Sequence, residues 1–210
     1  MERARLAEVA RVLPLFPLAR TVLMPGSLLP LHVFEPRYRA LVQHCLEGDR
    51  VMGIATLDAR RPPDANTPAL HREIGLGEIV SHQPFPDGRC NIVLQHVGTG
   101  IFGREMASPH PFRLAECGLM DEPSAGTADA LRDLRFLVLQ LSTRIPEASP
   151  EGRRLVELPG MELPDSLARR LLTDPEDQRR YLGATPVERV AMVSDQLAAF
   201  LVVAPPVGSA

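Results

Sequence analysis

The sequence predicts an α+β protein whose residues 1–122 are rich in β-strands and whose residues 123–210 form a helical lobe of the same domain. Two observations support this division. The first part contains short apolar runs separated by proline and glycine, a pattern typical of strands. After Gly126, apolar residues recur three and four positions apart, as they do on the buried face of a helix. Because 45% of the residues are hydrophobic and charge is moderate, a packed core is expected.

Six strands are predicted in the first part, and most of them are rich in Val, Ile, Leu and Phe. They are Val12–Phe16, Leu28–Val33, Val51–Leu57, Leu76–His82, Asn91–Val97 and Phe112–Leu119. Pro86-Asp87-Gly88 lies between two of these runs and predicts a hairpin, because proline presets φ and glycine accepts a left-handed turn.

The first strand carries Pro14 and Pro17, which lack the N–H group that a sheet ladder needs. We therefore expect an edge strand that enters and closes the β-rich lobe. The same apolar stretch allows a second interpretation, an exposed groove for unfolded chain. The Gly98–Gly103 segment predicts a turn or bulge between strands, because the prolines that soon follow prevent the helix of a nucleotide-binding loop.

One helix interrupts the strands, since Pro36 suits a first helical position and Gly48 a stop. Its predicted apolar face is Tyr38, Leu41, Val42 and Cys45. Residues 60–68 predict an exposed, mobile loop rich in proline.

The second part predicts one long helix from about Leu131 to about Arg144 and then shorter ones. The shorter helices are expected around Glu151–Leu158, Pro164–Thr173 and Pro175–Leu182. A last helix begins at Thr185-Pro186-Val187-Glu188, which combines a capping box with proline at the first helical position. Its predicted buried face is Val190, Ala191, Leu197, Ala198 and Leu201.

The sequence contains no lysine, so all 23 basic residues are arginine. A Walker A loop, a Ser-Lys protease dyad and Schiff-base chemistry all need a lysine, and the sequence excludes these three sites. The net charge of −3 argues against binding to nucleic acid. Since no apolar run approaches the roughly 20 residues that a membrane span needs, and no secretory signal begins the chain, we expect a cytoplasmic protein without membrane contact.

Three cysteines and six histidines show no metal-binding spacing. The sequence therefore predicts neither a metal nor a cofactor. It predicts that the cysteines are buried and pack as small hydrophobic residues. A Cys-His pair assembled in space stays open, because one sequence does not reveal such a pair. Glu35 and Arg37 flank the start of the predicted Pro36 helix, where a structural ion pair is the first interpretation and a ligand-binding arginine the second.

Three segments resemble the amino-terminal, substrate-binding domain of Lon proteases. They are Leu13-Pro-Leu-Phe-Pro-Leu18, Val22-Leu-Met-Pro-Gly26 and Leu29-Pro-Leu-His-Val-Phe-Glu-Pro-Arg-Tyr-Arg39. The Val51–Ile54 strand and the Pro86–Arg89 hairpin fit the same pattern. The chain departs from the family at Gly98-Thr-Gly-Ile-Phe102, where a glycine followed by an Arg-Phe pair is usual.

The resemblance implies a PUA-like β pseudo-barrel followed by a helical bundle, as in stand-alone members without ATPase or peptidase modules. In the protease this domain helps to capture unfolded or tagged substrates and assists oligomer assembly, so the resemblance implies a non-catalytic module that binds unfolded or tagged polypeptide. Whether such a module works with a full-length protease stays open. A related β lobe occurs in cereblon-type ubiquitin-ligase receptors. The oligomeric state and the identity of the ligand stay open.

Two hypotheses follow. The first is a polypeptide-binding or adaptor module, with strand addition or groove binding at six candidate residues. These are Phe34, Glu35, Arg37, Tyr38, Phe85 and Phe102. If the four aromatic residues of this set were all buried, the assignment of a binding surface to them would fail. The second is a small-ligand pocket or a small hydrolase with a spatially assembled Cys-His or Asp-His site, for which a perturbed residue in a deep cleft is expected. One cysteine that reacts much faster than the others would favour the thiol version of this hydrolase.

Overall fold

The computed structural model describes residues 2–61, 68–120, 126–145 and 149–203, with side chains as far as residue 201. The chain divides into two compact units, Met1–Asp121 and Glu122–Ala210. The sequence prediction of an α+β fold is confirmed: a mixed six-stranded sheet comes first and helices follow. The predicted proline-rich loop lies outside the described residues at positions 62–67.

The described residues of the first unit form two helices and six strands. In chain order they are α1 (Arg3–Ala10), β1 (Leu13–Leu18), β2 (Leu28–Val33), α2 (Pro36–Glu47), β3 (Val51–Leu57), β4 (Leu70–Pro84), β5 (Cys90–Met106) and β6 (Arg113–Leu119). Helix α1 was not predicted, because only Leu6 and Ala10 are buried and its apolar periodicity is weak.

The sheet closes into a near-barrel ring. Its strand order is β2-β5-β4-β3-β1-β6, and β6 pairs back onto β5. Strand β5 makes this closure because it has 17 residues: its first half pairs with β2 and its second half with β6. The register of β5 against β6 shifts between Phe102 and Arg104, so the glycine-rich segment lies inside a strand that carries a bulge.

The expectation that β1 is an edge strand is wrong, since β1 pairs in parallel with β3 and antiparallel with β6. The two partners overlap β1 only at Leu15, because β6 covers Leu13–Leu15 and β3 covers Leu15–Leu18. Neither Pro14 nor Pro17 therefore lies between two strands. The missing N–H of a proline therefore constrains its own position in the sheet and does not require the whole strand to lie at an edge.

Two clusters of buried side chains fill the first unit. One lies under α2 and contains the four residues predicted for its face, Tyr38, Leu41, Val42 and Cys45. The other includes Leu6 and Ala10 of α1 together with residues of β1, β3, β4 and β6. The predicted hairpin between β4 and β5 is also present, with Gly88 at φ +81°.

In the part of the second unit that the structure describes, there are five helices. They are α3 (Thr127–Arg144), α4 (Ser149–Val156), α5 (Glu162–Leu171), α6 (Pro175–Gly183) and α7 (Pro186–Val203). The predicted capping box of α7 is confirmed, because the Thr185 N–H donates to the Glu188 carboxylate at 2.8 Å. The predicted face of α7 is partly wrong: Ala191 and Ala198 are exposed, whereas Arg189 and Val193 are buried. No described helix has both the length and the apolar character that crossing a membrane requires.

Candidate functional site

A groove of ≈ 390 Å³ opens in the first unit where β1 and β2 end. We call it the β1–β2 groove. It is lined by Phe16, Pro17, Leu18, Ala19, Leu31, His32, Val33, Phe34, Glu35, Arg37, Tyr38, Leu57, Pro68 and Arg113. A concave surface with many apolar groups and few polar ones is typical of a binding site.

Stacked aromatic rings form the buried part of this groove. The rings of Phe16 and Tyr38 lie 4.0 Å apart between centroids and are nearly parallel. The Tyr38 hydroxyl donates to the carbonyl of Pro17 at 3.4 Å. Burial raises the pKa of Tyr38, so the phenol stays neutral at physiological pH. This part of the groove therefore offers a rigid, uncharged surface.

Two arginines face the groove, and the protein pairs both of them. Nε of Arg37 donates to Glu35 at 2.9 Å, and its guanidinium carbon lies 4.6 Å from the centre of the Tyr38 ring. Arg113 donates twice to Glu105, at 2.8 and 2.7 Å, and once to the Pro68 carbonyl at 2.9 Å. Because these guanidinium groups already have partners, the groove does not require an anionic ligand.

An exposed aromatic side chain stands beside the groove. Phe34 is 59% exposed, and its ring centre lies 6.2 Å from that of His32. His32 in turn lies 6.1 Å from the ring of Phe85 and places Nδ1 2.8 Å from the amide oxygen of Asn91. A large apolar group that remains in water provides contact area for a partner.

The structure brings four of the six predicted residues into the groove, namely Phe34, Glu35, Arg37 and Tyr38. Phe85 is half-buried and connects to them only through His32. Phe102 does not join them, since it is half-buried against the second core cluster. One of the four aromatics is exposed and only Tyr38 is buried, so the condition that would exclude this surface is not met.

The six candidate residues do not include His32, Leu57 or Arg113, which line the same groove. Phe16, Pro17 and Leu18 of β1 also line it, and they lie in the apolar stretch whose second interpretation was an exposed groove. His32 lies near the end of β2, two residues before the predicted Phe34, and exposed side chains alternate with less exposed ones along this strand. That alternation was a signal that His32 faces the same way as Phe34. Arg113 lies far along the chain and reaches the groove only because the ring closes. No local pattern predicts that contact.

The three cysteines lack the environment of a nucleophile, because all three are buried. Burial raises the pKa of the Cys45 thiol to about 12 and that of Cys117 to about 11, and it also raises the pKa of Cys90. Their thiols are therefore protonated at neutral pH, and a protonated thiol is a poor nucleophile. Among the described residues, no group of three or more His, Cys, Asp or Glu side chains could hold a metal ion.

Residues 12–198 match the model of the ATP-dependent protease La (LON) substrate-binding domain. The chain belongs to this family. The Lon protease of Roseiflexus castenholzii is 28% identical over 188 residues, which is 86% of this chain and 23% of that protein. The Lon protease of Dictyoglomus thermophilum is 28% identical over 69% of this chain and 18% of its own length. The chain thus spans about a quarter or less of these relatives.

Solved structures of Lon amino-terminal domains share the fold. The N-terminal domain of a Mycobacterium avium complex Lon protease superimposes with a TM-score of 0.68 at 17% identity, covering 89% of this chain and 98% of that one. A Lon N-terminal domain protein from Xanthomonas campestris gives a TM-score of 0.60 at 21% identity, covering 90% of this chain and 98% of its own. The prediction of a Lon amino-terminal domain is thereby confirmed.

Proposed function

We propose that this chain is a non-catalytic polypeptide-binding module that captures apolar segments of unfolded or tagged proteins for proteolysis. The observation that carries the proposal is the β1–β2 groove, whose lining contains both the exposed Phe34 and the stacked pair of Phe16 and Tyr38. The family description, a substrate-binding domain, supports the same function.

The charge distribution of the groove favours an apolar segment over a charged one. Arg37 and Arg113 are held by Glu35 and Glu105, and a charged ligand would have to displace these partners. An unfolded chain exposes apolar side chains that a folded protein buries, and the groove can take one of them. Folded proteins present such segments rarely, which gives the discrimination that substrate capture needs.

The experiment measures binding of a fluorescein-labelled, reduced and carboxymethylated α-lactalbumin by fluorescence anisotropy. We expect saturable binding that unlabelled unfolded protein weakens and native protein does not. Phe34→Ser should lower the affinity about tenfold or more, because exposed aromatic residues dominate such contacts. The matched control is Phe136→Ser in α3, since Phe136 is 60% exposed and Phe34 is 59% exposed.

Two outcomes would contradict the proposal. Equal losses in Phe34→Ser and Phe136→Ser would mean that any exposed apolar side chain binds the probe. Absence of saturable binding would exclude general capture of unfolded chains.

A further inference from the structure

Strand β2 has one edge with which no other strand of the described residues pairs. It stands at the end of the strand order and pairs only with β5 among the described residues. The register against β5 runs without a shift from Leu28 opposite Gln95 to Val33 opposite Cys90. Ser27 and His96 form the next pair, just before Leu28 and Gln95, and there the His96 N–H donates to the carbonyl of Ser27 at 3.1 Å. The pair Ser27 and His96 is therefore hydrogen-bonded.

Antiparallel strands alternate between hydrogen-bonded and non-hydrogen-bonded pairs. Starting from Ser27, the backbone groups of Leu29, Leu31 and Val33 consequently point to β5. Those of Leu28, Pro30 and His32 point to the open edge. The pairing of β5 with β4 leads to the same assignment. The Phe85 N–H donates to the Arg89 carbonyl at 2.8 Å, so the odd-numbered residues at the start of β5 point their backbone groups to β4. The even-numbered residues of β5 then point to β2, where they lie opposite the odd-numbered residues of β2.

Pro30 stands at the middle of this open edge and has no N–H to donate. A proline in this position interrupts any ladder along the edge, as in strands that avoid pairing with other chains. Beyond Pro30, His32 presents both an N–H and a carbonyl, and it lies in the lining of the β1–β2 groove. Leu28, before Pro30, is not part of that lining.

We propose that an extended, uncharged polypeptide segment pairs its main chain with the outer edge of β2 at His32 and places alternate apolar side chains in the β1–β2 groove. This inference rests on the proposed function and names the form of its ligand. An extended segment presents side chains on alternate faces, so one face fills the groove while the main chain supplies sequence-independent hydrogen bonds. Pro30 limits the pairing to a short stretch.

The first test compares two substitutions of one residue, with the labelled unfolded protein as the probe. His32→Pro removes the outward N–H, which β5 does not use, whereas His32→Ala keeps the main chain and removes only the imidazole. We expect His32→Pro to bind about tenfold more weakly than His32→Ala, because both lose the imidazole and only the proline also lacks the outward N–H. Pro30→Leu adds an outward donor and should tighten binding a few-fold. Circular dichroism and thermal melting verify that each variant is folded.

The second test uses the wild-type protein, so it does not depend on any variant folding. The probe is a short fluorescein-labelled peptide in which valine alternates with serine. Its analogue is N-methylated at every residue, which removes the main-chain donors of both edges and keeps every side chain. Strand addition predicts binding of the plain peptide and a loss of about tenfold for the N-methylated peptide.

The outcomes separate this inference from the proposed function. If unfolded protein binds but His32→Pro binds it as tightly as His32→Ala does, or if both peptides bind alike or neither binds, strand addition is wrong and polypeptide capture stands. If the wild-type protein does not bind unfolded protein, capture itself is wrong, and the inference falls with it.

Discussion

At the scale of single residues, the clearest constraint is the close approach of the segment before β2 to strand β4. A Cβ atom built on Gly75 would lie 2.6 Å from the carbonyl oxygen of Leu23 and 2.7 Å from its Cβ. Leu23 is itself 1% exposed and belongs to the core under α2. Only glycine allows the two backbones to come so close.

We expect Gly75→Ala to lower the free energy of unfolding by about 1–3 kcal/mol, because relief of the contact requires movement of the backbone. The control is Gly118→Ala in β6, where a Cβ would meet nothing within 4 Å. Urea denaturation measures both. A Gly75→Ala protein as stable as Gly118→Ala would show that Leu23 moves aside without cost.

The buried thiols predict how stability depends on pH. Burial holds the pKa of Cys45 at about 12, against an ordinary value of 9.0. Between these values the unfolded chain loses the proton and the folded chain keeps it. This contribution to stability is therefore intact below pH 9 and is lost as the pH rises towards about 12, by about 1.4 kcal/mol per pH unit.

We expect the stability of Cys45→Ala to fall less steeply with pH than that of the wild type above pH 9. The replacement also lowers stability at pH 7, because it removes buried atoms. Urea denaturation at several pH values gives the slope of stability against pH for both proteins, and the contributions of other groups cancel in the difference between the two slopes. Iodoacetamide should modify the native thiols only slowly at pH 7. Parallel curves for the two proteins, or rapid alkylation, would contradict the burial of this thiol.

At the scale of elements, the sequence predicted best those segments whose ends carry their own chemistry. Helix α2 begins at Pro36 as expected, and α7 carries the predicted bonds between Thr185 and Glu188. Strands β4 and β5 extend well beyond their predicted bounds, because glycines interrupt the apolar pattern and long-range pairing overrides it. Pairing across the ring, which no local window contains, sets those strand lengths.

The alternation along β2 can be measured directly by amide hydrogen exchange. We expect the amides of Leu29, Leu31 and Val33 to be protected and those of Leu28 and His32 to exchange quickly, since the latter face the open edge. Residue-resolved NMR provides the measurement. Slow exchange at both Leu28 and His32 would mean that the outer edge of β2 is covered, and strand addition would lose its basis.

At the scale of the whole molecule, the division into strands and then helices was predictable, because the hydrophobic period changes along the chain. The groove was predictable only in part. Its residues from Phe34 to Tyr38 lie in one short segment, so a single motif contains them. Closure of the ring brings three distant residues to the groove, Leu57, Pro68 and Arg113. The same closure packs Phe102 against the second core cluster, away from the groove. Local patterns carry no information about these positions.

In the helical unit, the buried side chain of Arg189 bonds residues of a neighbouring helix and can be tested by substitution. Its side chain is 1% exposed and donates to the carbonyls of Tyr181 and Leu182, both at 3.1 Å. The Tyr181 hydroxyl donates to Asp165 at 2.8 Å, so one buried network joins α5, α6 and α7. Sequence patterns place arginine outside, and this network was not predicted.

We expect Arg189→Met to lower the free energy of unfolding by about 1–3 kcal/mol, because the carbonyls of Tyr181 and Leu182 lose the Arg189 donor, although that of Tyr181 keeps the Ala184 N–H. Arg153→Met in α4 is the control, since Arg153 is exposed. Because the chain divides into two compact units, hydrogen exchange with mass spectrometry should show faster exchange in peptides of α3–α7 and wild-type rates in the strands. Equal loss of protection in the strands would mean that the two units unfold together, and a polypeptide bound in the β1–β2 groove would then stabilise the helices as well.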